Sequence, residues 1–259
     1  MRRSAAHFLA KFTLIAGAFV LLPMASTVSA QAQPSSGPVQ PTAVLELFTS
    51  QGCSSCPAAD ALMKTYTNRS DVIALSFAVD YWDYLGWKDT LASPKFSARQ
   101  RMYAKQRGDG RIYTPQMVIN GQTHALGSSA ADIDQTIAAS AAQFARSRIP
   151  LVVRTEAGQL VIEAGEATDG SAARDANIWL ALIQREVEIP VKAGENRGRT
   201  ITYYNVVREL TPVGMWSGKA ITVRLDREAI ALPGAASCAV LLQSGKAGPI
   251  IGAAMLGKL

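Results

Sequence analysis

Cys53-Ser54-Ser55-Cys56 stands directly behind the apolar run Val44-Leu45-Glu46-Leu47-Phe48 and opens a segment of helical character, and no other feature constrains the fold so narrowly. A strand that runs into a C-x-x-C at a helix start points to thiol redox chemistry. Two cysteines three residues apart on a first helical turn share one face and lie within bridging distance. The helix start also presents unpaired N–H groups and the positive end of the dipole, which favour a thiolate on Cys53 over a thiol.

Residues 1–30 read as a leader. Arg2, Arg3 and Lys11 form a charged n-region, Phe12 to Leu22 an apolar h-region and Val28-Ser29-Ala30 a small-residue cleavage site, the pattern of a secretory signal peptide. The apolar run ends at Pro23, short for a membrane span. A retained anchor is the alternative; after cleavage no stable membrane association is expected. The leader looks bacterial, so the expected location is periplasmic or secreted, where disulfides persist. Three cysteines leave one over if Cys53 pairs with Cys56, so stability must come from apolar cores. The formal charge of +6 includes the three basic leader residues, and the +3 that remains gives no reason to expect nucleic acid as a partner.

Residues 31–41, rich in Pro and Ser, read as a flexible N-terminal segment. Strand and helix signals then alternate. Val44 to Thr49 reads as a strand, Pro57 to Tyr66 as a helix with Pro57 in its tolerant first turn, and Val72 to Val79 as a strand buried on both faces. Ser93-Pro94 starts a helix to about Arg107. Gln116–Ile119 and Thr123–Leu126 flank Asn120-Gly121, a two-residue hairpin signal. A helix from Ala130 to about Arg146 puts Ile133, Ile137, Ala141 and Phe144 on one face. From about Ile149 seven strand-like runs follow without a helix between them, the pattern of a β-sandwich.

Two groups of residues carry a resemblance. Leu45 to Pro57, around the C-x-x-C, resembles the active-site entry of thioredoxin-like oxidoreductases, and Thr114-Pro115 resembles the threonine and cis-proline that face the cysteines there. Nearly everything after the leader further resembles an uncharacterised bacterial family of secreted thioredoxin-like proteins, a domain-of-unknown-function family. The matching pieces include Tyr81-Trp82-Asp83-Tyr84-Leu85-Gly86-Trp87, Tyr113 to Gln116, Glu195 to Thr200 and Gly248 to Ala253. The fold class expected is an α/β thioredoxin-like domain over 42–147 followed by an all-β sandwich domain over 148–259.

The resemblance implies that Cys53, the more exposed cysteine in that superfamily, attacks and Cys56 resolves. Ser54 and Ser55 supply no cationic imidazole, so the thiolate is expected to be less stabilised than in a strong oxidant. An inert disulfide and a metal site are the competing readings of the pair. For Pro115, a cis bond that turns Thr114 toward the C-x-x-C stands against an ordinary trans loop proline. Glu46 reads either as a buried carboxylate that takes the resolving cysteine's proton or as an edge or solvent-facing residue. Its spacing to Cys53 is one residue longer than the superfamily pattern, and a one-residue slip reverses the face. His124, on the second hairpin strand, would complete a copper set with Cys53 and Cys56; an ordinary hydrogen-bonded histidine is the other reading. Tyr81, Trp82, Tyr84 and Trp87 suit an apolar rim for a client, a docking surface or plain packing. Asp80 and Asp83 read as turn formers, Cys238 as a buried free thiol and Arg197-Gly198-Arg199 as a solvated turn. Thiol–disulfide exchange with disulfide- or thiol-containing protein clients and an unidentified redox partner is therefore the expected activity, without a cofactor. A non-catalytic binding module or a copper-binding protein is the alternative.

Overall fold

Strand and helix boundaries follow local chemistry closely in the computed structural model, which describes residues 40–167 and 175–259. The chain runs β1 (Ala43–Thr49), α1 (Cys56–Thr67), β2 (Val72–Ala78), a 3-10 turn (Asp83–Leu85), α2 (Pro94–Arg107), β3 (Gln116–Ile119), β4 (Thr123–Leu126) and α3 (Ala130–Ser147). It continues through β5 (Leu151–Glu156), β6 (Gln159–Ala164), β7 (Ala176–Pro190), β8 (Thr200–Trp216), β9 (Ile221–Asp226), β10 (Ser237–Ser244) and β11 (Ile250–Leu256). Ser93 caps α2 by accepting the Lys95 N–H, Pro94 follows where its missing donor is harmless, and Gly108 ends the helix at φ +77°. Asn120 and Gly121, at φ 52° and 66°, make the β3–β4 turn, which needs positive φ at both positions. At Gly121 a Cβ would stand 2.8 Å from the Gly248 oxygen, so the close approach also requires glycine.

The fold is mixed α/β. Eight strands form one sheet in the order β11-β10-β7-β8-β2-β1-β3-β4, and β5-β6-β9 form a second, antiparallel sheet. Every residue of β1 and β2 is buried, as their apolar runs require. On one face Leu45 and Leu47 pack with Ala59 and Met63 of α1 and Ile133 and Ile137 of α3. On the other, Val44 and Phe48 pack with Phe77 and with Phe96 and Tyr103 of α2. The small sheet packs on the large one through Leu160 and Ile162 against Ile178, Val240 and Leu242.

All seven runs expected after residue 149 are strands, and two β layers do stack. Hydrogen bonding nevertheless continues across position 147/148, because β8 pairs in parallel with β2 at Ser76 and Val206 and carries β7, β10 and β11 with it. A buried apolar strand advertises no particular neighbour, so this parallel pairing of segments about 130 residues apart leaves no local trace in the sequence. The leader and residues 31–39 of the N-terminal segment lie outside the described residues; Gln40 is tied to the Leu151 oxygen and Pro41 accepts from Arg148. Among the described residues no helix is long and apolar enough to cross a membrane.

Candidate functional site

The cysteines sit where β1 hands over to α1. After Thr49 the chain turns tightly: the Cys53 N–H donates to the Ser50 oxygen at 3.2 Å and the Cys56 N–H to the Cys53 oxygen at 3.2 Å. Cys56 then begins α1. Cys53 and Cys56 are joined in a disulfide with their Cα atoms 5.4 Å apart. Gly52 is required sterically, since a Cβ there would lie 2.9 Å from the Trp82 Cβ. Asp89 Oδ2 accepts the Gln51 N–H at 2.7 Å, and the Trp87 indole donates to Gln51 Oε1 at 2.8 Å, so the turn is held from the β2–α2 connection. Cys53 is 1% exposed and Cys56 0%, while Ser54 and Ser55 face solvent. The two sulfur-bearing residues thus hardly differ in exposure.

Thr114 and Pro115 come to the same end of the sheet, because β3 begins at Gln116 and Gln116 pairs with Phe48 near the end of β1. Their peptide bond is cis. Trp82 links the two segments: it covers Gly52 and donates its indole N–H to Thr114 Oγ1 at 2.8 Å. Tyr84 stacks on Trp82 at 6.4 Å and is 76% exposed, so this stretch both packs and offers an aromatic face beside the cysteines. Asp80 accepts from Ser97 and Asp83 accepts the Asp89 N–H, both as turn formers.

Glu46 is not brought to the cysteines. It alternates with Leu45 and Leu47, so it points away from α1 toward α2, the reversal that its one-residue longer spacing allows. It is fully buried and bonds Arg99, whose Nε donates at 2.9 Å, and Tyr103, whose hydroxyl donates to Oε2. Arg99 also donates to Gln243 Oε1 of β10 at 3.0 Å, and Gln243 donates to the Tyr103 oxygen at 2.9 Å. Burial opposes the charge on Arg99, but Glu46 and Tyr103 more than compensate and its pKa is raised. This closed network ties β1, α2 and β10 together in the core.

A different carboxylate lies on the cysteine side. Asp60, one helical turn after Cys56 on α1, is 1% exposed; its Oδ1 accepts from Thr49 Oγ1 at 2.7 Å and its Oδ2 has no partner. Burial pushes its pKa well up, Thr49 opposes this and Asp89 adds to it. The neighbouring Tyr203 hydroxyl is also buried without a partner, its pKa raised by burial and then by Asp60 and Asp89. The i,i+4 spacing from Cys56 was the available sequence signal for Asp60. An acid with a raised folded pKa binds its proton more tightly folded than unfolded, so stability falls as pH climbs above about 4 toward the folded value. Asp60→Asn, which keeps the acceptor for Thr49, should therefore raise unfolding free energy at pH 7 by about 1–3 kcal/mol. It should also flatten the decline between acid and neutral pH. Denaturant titrations at both pH values test this; a change of equal size and sign at both would remove the buried charge as the cause.

His124 is placed elsewhere, on β4, with Nδ1 bonded to the Tyr113 hydroxyl at 2.8 Å and Nε2 to Asp109 Oδ2 at 3.2 Å. Burial and Arg107 lower its pKa. Among the described residues no group of three or more His, Cys, Asp or Glu is placed to hold a metal ion, so Cys53, Cys56 and His124 are not assembled into one site. Cys238 is a free thiol, fully buried in β10, its pKa pushed up to about 12 by burial.

The turn between β7 and β8 completes the site. Asn196, 1% exposed, donates from Nδ2 to the oxygens of Gln51 and Cys53, each at 2.9 Å, and Glu195 Oε2 accepts the Ser54 N–H at 3.1 Å. Arg197, Gly198 and Arg199 are exposed beside it, as a solvated turn should be. Nothing local distinguishes Asn196 from any other turn asparagine, so its contact across some 145 residues is visible only in the fold.

The chain belongs to the family described as protein of unknown function (DUF1223), which matches residues 44–243. It is similar to a structural-genomics target protein from Agrobacterium tumefaciens, solved by crystallography, at 34% identity over 85% of this chain and 96% of that one, with a TM-score of 0.74. It also resembles HBP35 of Porphyromonas gingivalis at 11% identity, covering 86% of this chain and 76% of that one, with a TM-score of 0.57, a likeness of fold alone. No curated protein matches the chain.

Proposed function

We propose that the chain is an exported thiol–disulfide oxidoreductase whose residues 42–147 form a thioredoxin-like unit, with Cys53 as nucleophile and Cys56 as resolving thiol. The observation that carries this reading is the Cys53–Cys56 pair, which spans the turn from the carboxyl end of β1 to the first residue of α1. Thr114-Pro115 and an exposed aromatic face stand beside it. The element order β-α-β-α-β-β-α, with β1 and β2 parallel and β3 and β4 antiparallel, supports the thioredoxin-like assignment. Export rests on the leader-like residues 1–30.

In the forward step the Cys53 thiolate attacks one sulfur of a client disulfide. A mixed disulfide forms and one client thiolate leaves. Cys56 gives up its proton and attacks Cys53 Sγ, the second client thiolate departs, and the chain keeps the new disulfide while the client gains two electrons. A dithiol reductant must return those electrons, and the reverse sequence oxidises a client. Trp82 and Tyr84 would seat the flanks of an extended client segment.

Exchange is separated from metal carriage by one comparison. The reduced protein without its leader should reduce a model protein disulfide, and His124→Ala should leave that rate within about twofold, because His124 is bonded to Tyr113 and Asp109 instead of the cysteines. Stoichiometric Cu(I) retention against a competing chelator, together with no exchange, would replace this reading by a copper carrier. Neither exchange nor copper retention would leave a binding module with a locked disulfide.

A further inference from the structure

The sequence of α1 supplies no acidic residue in its first turn, and Ser55 at its N-cap makes no side-chain cap. Nothing between the cysteines is charged. An unopposed helix start of this kind stabilises a neighbouring thiolate and makes the couple oxidising. The fold, however, brings a carboxylate to this place from 141 residues away: Glu195 Oε2 accepts the N–H of Ser54, the residue next to Cys53, at 3.1 Å.

The carboxylate is held there. Asn196 locks the turn onto the oxygens of Gln51 and Cys53, and the turn is closed at its base by Val191 N–H to Arg199 O and Gly198 N–H to Val191 O, both 2.9 Å. Gly194 and Gly198, at φ +76° and +83°, give it its shape. Other ionisable groups also face the C-x-x-C. Asp89 bonds the Gln51 N–H and Asp60 lies behind Cys56, both with pKa values raised by burial and so drawn toward their neutral forms. Arg197 and Arg199 extend from the same turn as Glu195 and are exposed. Glu195 is itself exposed.

By accepting the Ser54 N–H, Glu195 engages a donor at the helix start and adds negative charge beside the residue that follows Cys53; both favour thiol over thiolate. We propose that Glu195 is a positioning residue of the redox couple: it keeps the Cys53 thiol less acidic than the helix start alone would make it. It thereby biases the Cys53–Cys56 couple toward giving electrons to client disulfides. This rests on the exchange reading above and gives it a direction. A destabilised thiolate raises the free energy of the reduced form and leaves the disulfide form favoured, so the dithiol is the stronger reductant. The two electrons pass to the client, whose disulfide becomes two thiols, and a dithiol reductant restores the pair while itself becoming a disulfide.

The test is Glu195→Gln in the otherwise intact chain, because glutamine keeps an acceptor for Ser54 and removes only the charge. Alkylation rate at Cys53 against pH, with the modified site located by mass spectrometry, reads the thiol directly; Cys238 stays silent with its pKa near 12. The Cys53 pKa should fall by about 0.3–0.7, and the equilibrium with glutathione should move about two- to fivefold toward reduced protein. Both differences should shrink at about 1 M salt, where exposed charge is screened. Asn196→Ala, which loosens the turn without changing its charge, reports what a structural role alone produces. An unchanged or higher Cys53 pKa in the Glu195→Gln protein overturns the proposal. A wild-type protein without exchange activity would overturn the oxidoreductase reading instead, and the thiol titration would still stand.

Discussion

Replacing Arg99 by Met is expected to lower the unfolding free energy by about 3–5 kcal/mol, because it leaves the Glu46 carboxylate fully buried without its cation. Methionine retains most of the side chain's packing beneath Phe77 and Tyr103, so the loss would report charge and hydrogen bonding in the main. Tyr103 would still donate to Glu46 and still accept from Gln243, neither of which carries compensating charge. The double replacement Glu46→Leu with Arg99→Met removes both charges and should recover most of the deficit, since an ion pair exchanged for apolar groups of similar volume is often close to neutral. Denaturant unfolding of the two single variants and the double variant, with the slope checked for constancy, gives the coupling. A single-variant loss below about 1 kcal/mol, or a double variant no better than the sum of its parts, would show that the network does not hold β1, α2 and β10 together as described.

That network also marks where sequence reading stops. Strands and helices were legible because each was written locally: continuous apolar runs for β1 and β2, Ser93-Pro94 and Gly108 at the ends of α2, and Asn120-Gly121 between β3 and β4. The C-x-x-C and Thr114-Pro115 were likewise visible as short motifs, and the fold brings them to one end of the sheet. Glu46 was visible as a residue, but its role depended on which face of β1 it occupies, and period-two geometry turns a spacing difference of one into the opposite side of a sheet. Its partners Arg99 and Gln243 lie 53 and 144 positions apart from their respective network neighbours, and no periodicity connects them. Asn196 and Glu195 are the same kind of case, since their value lies in meeting Gln51, Cys53 and Ser54 after β8 has been laid against β2. Sequence patterns report how each segment buries its own face; they do not report which remote segment arrives there.

Cys56→Ser should trap a mixed disulfide with a protein client or a small disulfide reagent, whereas Cys53→Ser should abolish exchange and trap nothing. The asymmetry comes from position. Cys53 precedes α1 in the turn held by Asn196, whose Nδ2 donates to the Cys53 oxygen, and stands at the helix start, where the positive end of the dipole favours a thiolate over a thiol. Cys56 is already the first residue of the helix, with Asp60 one turn behind it, a carboxyl that burial drives toward its protonated form. From that place Cys56 would act in the second step, attacking Cys53 Sγ once that sulfur is bonded to a client. In the Cys56→Ser protein the intermediate forms and has no intramolecular exit, so it should accumulate and run as a higher-mass species that a reductant dissolves. The Cys53→Ser protein loses the first step and should retain less than about one per cent of the wild-type rate. Mass spectrometry of non-reduced protein after incubation with an excess of disulfide distinguishes the two. A trapped adduct on Cys56 in the Cys53→Ser protein, with none on Cys53 in its counterpart, would reverse the roles. Full activity in both would place the chemistry outside this pair.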